Sequence, residues 1–477
     1  MSDSIHTSTG RTDTAKLVNE NQCHMCMPLG GVVAFKGVEG SMALVHGSQG
    51  CSTYMRLTNV EHYHEPIDVA SSSLNEKQTI YGGEQNLMKA LDNVRRVYKP
   101  KVIGVLTTCL TETMGEDLNR IISTYKAEKG EIDTDIIPVS TPSYDKSHTE
   151  GFWTATRDII AHYARKDIAY HKRINVIIPH ISTADIKAIK MILDTWGVEY
   201  TLLPDYSMTL DRPFAGKYMK IPDGGTPTSA IAEMSGAPVT IQFGLTCEKN
   251  ISPGHYLEEN FGVPLINLPL PIGIGNTDMF MDTLKRITGK PMPKNLGYER
   301  GWLIDAMADS HKYNASARPV IYGEPELVYA YTSLCLENGS IPSVIATGSA
   351  HSRLIPALER LLEESDCDEY PVILEGADFS MIEAVALEAG SNIAIGHSGG
   401  RLLEEKHDIR IVRAGFPIHD RVGGQRILSA GYAGTLSFLD RFTNTILEKK
   451  HSSYRELRKQ ELLSKIAAVT ETGFTAE

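Results

Sequence analysis

The sequence predicts an α/β protein of three doubly wound, Rossmann-like domains with parallel sheets. Three observations carry this expectation. Short β-branched runs recur along the chain, punctuated by Gly, Pro and Ser. Helical patterns alternate with them, and strand–helix alternation puts crossover helices between strands that must then run parallel. The length, 477 residues, holds about two to four domains of ~100–200 residues each.

The elements fall into three groups. In a first domain, 1–168, Val102–Leu106 reads as a strand and Asp117–Tyr125 as a helix, and the charged junction Arg165-Lys166-Asp167 closes it. In a second, 169–316, the strands are Val176–Ile178 and Val239–Phe243. The helices there are Ala184–Thr195 and Thr277–Thr288, with a long helix around Glu299–His311 at the end. A third, 317–440, opens at Arg318-Pro319. It carries strands Val320–Tyr322, Val344–Ala346, Val372–Leu374, Ile393–Ile395 and Ile409–Val412, and helix Glu326–Glu337. A polar helix over roughly 441–467 leads into a loose tail, making 441–477 a C-terminal appendage. Ligands of doubly wound domains sit beyond the C-terminal ends of the strands, so chemistry is expected in the loops there.

Composition narrows the function. Hydrophobic residues make up 42%, enough for a large core that needs no disulfide or metal staple. A metal site here is therefore expected to be functional. The formal charge is −12, and nucleic-acid binding would need clustered Lys and Arg. The most basic stretch, Lys449-Lys450-His451 with Arg455, Arg458 and Lys459, is interrupted by Glu456 and Glu461 and reads as a solvated helix face. Met1 to Arg11 is polar and has no apolar segment of the signal-peptide kind. No run of about 18 apolar residues suggests a membrane span. Seven cysteines in a chain this long are not a secreted disulfide framework. The expected compartment is the reducing cytoplasm.

Four cysteines lie within the first 109 residues: Cys23, Cys26, Cys51 and Cys109. Cys26 opens Cys-Met-Pro-Leu-Gly-Gly, Cys51 closes His46-Gly47-Ser48-Gln49-Gly50-Cys51 before a helical pattern, and Cys109 follows a strand and Thr107-Thr108. Glycines let backbone N–H groups approach a negatively charged group closely. A helix N-terminus favours the thiolate at Cys51. Thiolates select iron–sulfur clusters or zinc. Residue chemistry alone leaves three readings open: a cluster, a zinc site using all four cysteines, and no metal. Structural zinc ligands usually come as two close pairs, and only Cys23-x-x-Cys26 is one. Cys247, Cys335 and Cys367 have no close cysteine or histidine partner in sequence and read as core or surface thiols.

These motifs resemble those of the nitrogenase β subunit. Cys-x-Pro-x-Gly, His-Gly-Ser-Gln-Gly-Cys and Thr-Thr-Cys-x-x-Glu match its three cluster motifs, with spacings of 51 − 26 = 25 and 109 − 51 = 58. The likeness continues through Pro271-Ile272-Gly273, Glu299-Arg300-Gly301, Tyr322-Gly323-Glu324-Pro325 and Gly415-Phe416-Pro417. The resemblance implies the component 1 β-subunit fold and half of an [8Fe-7S] P-cluster shared with a homologous α subunit. Its ligands would be Cys26, Cys51 and Cys109. Ser143 matches a serine whose oxygen can ligate the oxidised cluster; otherwise it is a turn serine after proline. Cys23 lies outside the motif. Tyr54 matches an aromatic beside the cluster, and Tyr81 one that helps dock the ATP-driven iron protein. The implied partners are the α subunit, in an α2β2 heterotetramer, and an ATP-dependent homodimeric iron protein carrying a [4Fe-4S] cluster. The catalytic iron–sulfur cofactor belongs to the α subunit, so no catalytic residue is assigned here. Ser349, His351, His397 and Ser398, in loops after strands, read as structural or interface residues.

Within this superfamily, scaffold proteins and tetrapyrrole reductases usually keep fewer cysteines in the corresponding subunit. Dinitrogenase β chains usually carry Cys-Gln-Pro-x-Gly-Ala, Ile-Gly-Asp-Asp and an aromatic before Asp-Arg. This chain has Cys26-Met27-Pro28-Leu29-Gly30-Gly31, Met114-Gly115-Glu116-Asp117 and His419-Asp420-Arg421. By resemblance and elimination these departures point to the methylthio-alkane reductases, which cleave C–S bonds of small thioethers and release methanethiol. A dinitrogenase β subunit and an assembly scaffold are the alternatives.

Overall fold

The computed structural model describes residues 22–472, apart from 366 and 368. The polar stretch Met1 to Arg11 and the final residues 473–477 lie outside the described residues. Among the described residues thirteen strands form three sheets, and every strand pairing within them is parallel.

The first sheet contains β1 (Ser41–His46), β2 (Ala70–Ser71), β3 (Val102–Thr107) and β4 (Asp135–Val139), in the order β2-β1-β3-β4. The second contains β5 (Ile174–Ile177), β6 (Tyr200–Leu203), β7 (Thr240–Phe243) and β8 (Leu265–Leu268), in the order β6-β5-β7-β8. The third contains β9 (Pro319–Tyr322), β10 (Val344–Ala346), β11 (Val372–Leu374), β12 (Ile393–Gly396) and β13 (Arg410–Arg413), in the order β11-β10-β9-β12-β13. One apolar core runs through all three: Val45 and Val102, Val176 and Ile241, and Ile321 and Ile345 belong to it.

β1 and β3 are buried along their whole length, as central strands covered on both faces must be. β4 is an edge strand and tolerates Pro138. Five strands lie outside the β-branched runs of the sequence reading. β1 has one β-branched residue, Val45, and β2 has none. Burial and pairing make them strands where intrinsic propensity does not.

The last helix corrects a second expectation. It spans Gly431–Thr472, starting ten residues before 441. Its first turns bury Tyr432, Phe438, Leu439 and Phe442 and pack on the helix Lys294–Asn314. This apolar opening masked the helix as part of the preceding unit. Among the described residues no helix is long and apolar enough to cross a membrane.

The contact that matters most for the site joins helix Met27–Lys36 to helix His148–Tyr163. All ten residues of the first are buried, and Pro28 sits in its first turn, where its missing N–H is harmless. The two backbones touch at glycines. A Cβ added to Gly30 would lie 1.8 Å from the His148 carbonyl oxygen, and one added to Gly151 would lie 1.8 Å from that of Met27. Gly301, by contrast, faces open space within its helix. Gly151→Ala is therefore expected to destabilise the chain by about 1–3 kcal/mol through overpacking. Gly301→Ala is expected to stabilise it by about 0.5–1 kcal/mol. Thermal unfolding of both variants beside the wild type reads the two opposite signs.

Candidate metal centre at three helix N-termini

In the order β2-β1-β3-β4, the chain leaves β1 and β3 in opposite directions. The crevice beyond their C-terminal ends is the topological switch point, where doubly wound domains bind ligands. The loop after β1 carries Cys51 and the turn after β3 carries Cys109. His46 and Thr107, the last residues of the two strands, are register partners.

Each thiol starts a helix. Cys26 is the N-cap of Met27–Lys36. Cys51 is in the first turn of Gln49–Tyr63, after the cap residue Ser48, whose Oγ lies 3.6 Å from Cys51 Sγ. Cys109 opens the short helix Cys109–Thr113, capped by Thr108. The loop after β4 brings in Ser143. Its backbone N–H donates to Cys109 Sγ at 3.2 Å, and its Oγ accepts from Met27 N at 2.7 Å. Cys26 also pairs with Ser147 in an isolated antiparallel bridge. Ser147 caps the partner helix His148–Tyr163 in a capping box with Glu150.

The three thiols feel one another. Burial raises the Cys26 pKa, the charges of Cys109 and Cys51 raise it further, and the Ser143 hydrogen bond pulls it back. Three thiolates gathered this way repel unless positive charge lies between them, which a bound metal reverses. The positive ends of the Met27–Lys36 and Gln49–Tyr63 helices act in the same sense. All three thiols are half-buried.

The chemistry of the donor set tests what it could hold. Among the described residues, no three His, Cys, Asp or Glu side chains are arranged around a single metal ion. Cys23, the fourth member of the zinc reading, turns away. It packs in the core of the third sheet with Val320 and Tyr322, its Sγ 3.8 Å from His397 Nε2, and burial pushes its thiol up. The three half-buried thiols and Ser143 are thus gathered without forming a site for one ion.

Tyr54 stands one turn after Cys51. Its Oη donates to Met25 Sδ at 2.8 Å; burial and the Cys26 charge push its phenol up to about 12. Tyr81 ends helix Glu76–Tyr81 and is 81% exposed, next to Ile80 at 75%. It is a surface residue. Ser349 and His351 are buried, with His351 Nδ1 3.0 Å from Glu150 Oε1 and Nε2 3.0 Å from Ser349 Oγ. His397 is buried against Cys23, and Ser398 Oγ donates to Asp420. Cys247 and Cys335 are buried and Cys367 is half-buried. Two neighbours of the site, Met25 and Tyr144, lie outside the sequence reading, and a third, His46, entered it only as the first residue of the Cys51 motif. Tyr144 Oη reaches the Cys109 carbonyl at 3.4 Å. The His46 carbonyl accepts from Thr108 and Thr111 at 3.1 Å. Their nearness to Cys26, Ser143 and Cys51 in sequence was the available signal. Iodoacetamide labelling of the metal-free chain, read by peptide mass, is expected to modify Cys26, Cys51 and Cys109 ahead of Cys23, Cys247 and Cys335.

The family of nitrogenase component 1 type oxidoreductases matches residues 26–447. The nitrogenase molybdenum-iron protein beta chain of Methanococcus maripaludis is 36% identical over 440 residues, covering 90% of this chain and 94% of that one. The corresponding chain of Clostridium pasteurianum is 32% identical over 91% of this chain and 94% of its own. The vanadium-iron protein beta chain of Trichormus variabilis is 34% identical over 90% and 95%. The solved structure of nitrogenase Cp1 at pH 6.5 superposes with a TM-score of 0.87 at 31% identity, covering 91% of this chain and 94% of that chain. Parallel sheets, cysteine motifs and similarity over most of the chain agree: the chain belongs to the nitrogenase component 1 type oxidoreductases, on the side of their β chains.

Proposed function

We propose that this chain is an electron-relay subunit, with Cys26, Cys51 and Cys109 holding one half of an [8Fe-7S] cluster whose other half comes from a homologous α subunit. The observation that carries this reading is the convergence of three half-buried thiols at helix N-termini, with Ser143 beside them, over a topological switch point. When bound, such a cluster supplies one-electron storage and transfer. The chain's own groups tune the place it would occupy. The Ser143 amide donates to the Cys109 sulfur, and hydrogen bonds to ligand sulfurs are one lever on cluster potential. Ser143 Oγ, held by Met27 N, is an oxygen donor beside the thiols. Tyr54 and Met25 cover the flank next to Cys26.

In this reading two copies of each subunit assemble as α2β2. A homodimeric, ATP-dependent iron protein with a [4Fe-4S] cluster docks at the surface that includes Tyr81. Substrate chemistry takes place at a catalytic cofactor in the α subunit. The compartment is the cytoplasm, where thiols stay reduced.

The substrate reading is reductive cleavage of methylthio-alkanes, which breaks one C–S bond and places a hydrogen on each fragment, releasing methanethiol. Met27, Gly31, Glu116 and His419 support it as departures from the dinitrogenase motifs. A specific observation favours dinitrogen reduction as a second reading: the 36% identity over nearly the whole chain to a molybdenum-iron protein beta chain.

Replacing Cys51 or Cys109 by Ala is expected to strip cluster iron and abolish substrate reduction in the purified complex; full iron content in both variants overturns the ligand assignment. Given iron protein, ATP and reductant, the wild-type complex is expected to release methanethiol from 2-(methylthio)ethanol. Ammonia from dinitrogen without methanethiol selects the second reading. No turnover of either substrate leaves a cofactor-assembly scaffold.

A further inference from the structure

Three segments of chain meet on His46, the buried last residue of β1. Its carbonyl holds Thr108 and Thr111, the hydroxyls on either side of Cys109. Its peptide runs on through Gly47 and Ser48 into the turn that carries Cys51. Its imidazole Nδ1 lies 2.9 Å from Ser72 Oγ, which accepts from Gly47 N at 3.0 Å.

The other ring nitrogen faces the turn that follows the Cys109 helix, where the backbone N–H of Glu116 donates to the Thr111 carbonyl at 3.1 Å. Nε2 is 3.6 Å from Glu116 Oε2, beyond hydrogen-bond length, and it has no hydrogen-bond partner. The opposite oxygen of Glu116 accepts from the backbone N–H of Gly83 at 2.6 Å. Gly83 follows helix Glu76–Tyr81 through Gly82, whose φ is +95°. A Cβ on Gly83 would come 3.0 Å from His46 Cε1 and 2.9 Å from Leu74, so only glycine sits easily in this gap. The exposed pair Ile80 and Tyr81 is thus a few residues from a glycine pressed against His46 and tied to its carboxylate neighbour.

We propose that His46 and Glu116 are positioning residues that couple docking on the exposed Ile80–Tyr81 helix to the loops carrying Cys51 and Cys109. The inference rests on the reading that the iron protein docks at this helix and that these thiols hold a cluster. Load on the helix moves Gly83 about its glycine hinge. Glu116, bound to Gly83, needs to travel only about 0.7 Å to reach hydrogen-bond range of Nε2. His46 then shifts the Cys51 loop and the Cys109 turn together. The partner acts on the thiols without touching them.

The test uses the whole complex and two electron donors, the iron protein with ATP and the small reductant europium(II). Glu116→Ala is expected to keep wild-type cluster iron and its rate with europium(II), while transfer from the iron protein slows about five- to tenfold. His46→Gln is expected to behave in the same way. Glu116→Gln, which still accepts from Gly83 and can donate to His46, is expected to keep the wild-type rate. Unchanged transfer in Glu116→Ala overturns the coupling, and so does equal slowing with both donors, which marks a merely local structural role. A wild-type complex that takes electrons from europium(II) but none from the iron protein overturns the relay reading itself, and the coupling with it.

Discussion

The backbone contact between helices Met27–Lys36 and His148–Tyr163 governs the site. Gly30 and Gly151 let the two helices meet main chain to main chain, closer than side chains would allow. This closeness joins the cap residues Cys26 and Ser147 in a β-bridge. It also places Cys26 over the crevice where β1 and β3 end. The same helix pair reaches the third sheet. His148 Nε2 lies 3.2 Å from Glu324 Oε1, and Glu150 pairs with buried His351. His351 holds the Glu150 carboxyl at about 2, with Ser147 adding to the effect, against the upward pull of burial. Breaking such a buried pair from one side is strongly destabilising, so the loops of the third sheet are held to the helix that seats Cys26.

Charge explains why the thiols stand where they do. Three half-buried thiols close together in a chain with net charge −12 need local positive potential to ionise. Lysine and arginine do not supply it in the motifs around the three cysteines; oriented peptide groups do. Helix N-termini present unpaired N–H groups and roughly half a positive charge each. This device leaves each of the three thiols half-buried; under the proposed cluster they make up one half of its ligand set.

Much of the site was legible in the sequence because its parts are local. Cys51 is bracketed by Gly-Ser-Gln-Gly and a helical pattern, and Cys109 by a strand and two threonines. Each motif states its own backbone geometry. What escaped was whatever depended on distance. Cys23 and Cys26 are three residues apart and look like a pair. One is buried under the third sheet beside His397 and the other caps a helix at the switch point. The final helix began earlier than its polar stretch suggested, because its first turns are paid for by packing on Lys294–Asn314.

The parallel α/β class, the candidate thiols and the family can be read from the chain alone, since hydrophobic period, crossover length and motif spacing are properties of short stretches. Which residues share a site depends on the folded arrangement. Convergence of Cys26, Cys51, Cys109 and Ser143 requires the sheet order β2-β1-β3-β4 and a glycine-to-glycine helix contact. The meeting of His46, Gly83 and Glu116 requires three separate segments to close over the strand ends. Such juxtapositions come from burial and chain crossing among residues far apart in sequence, and no local pattern encodes them.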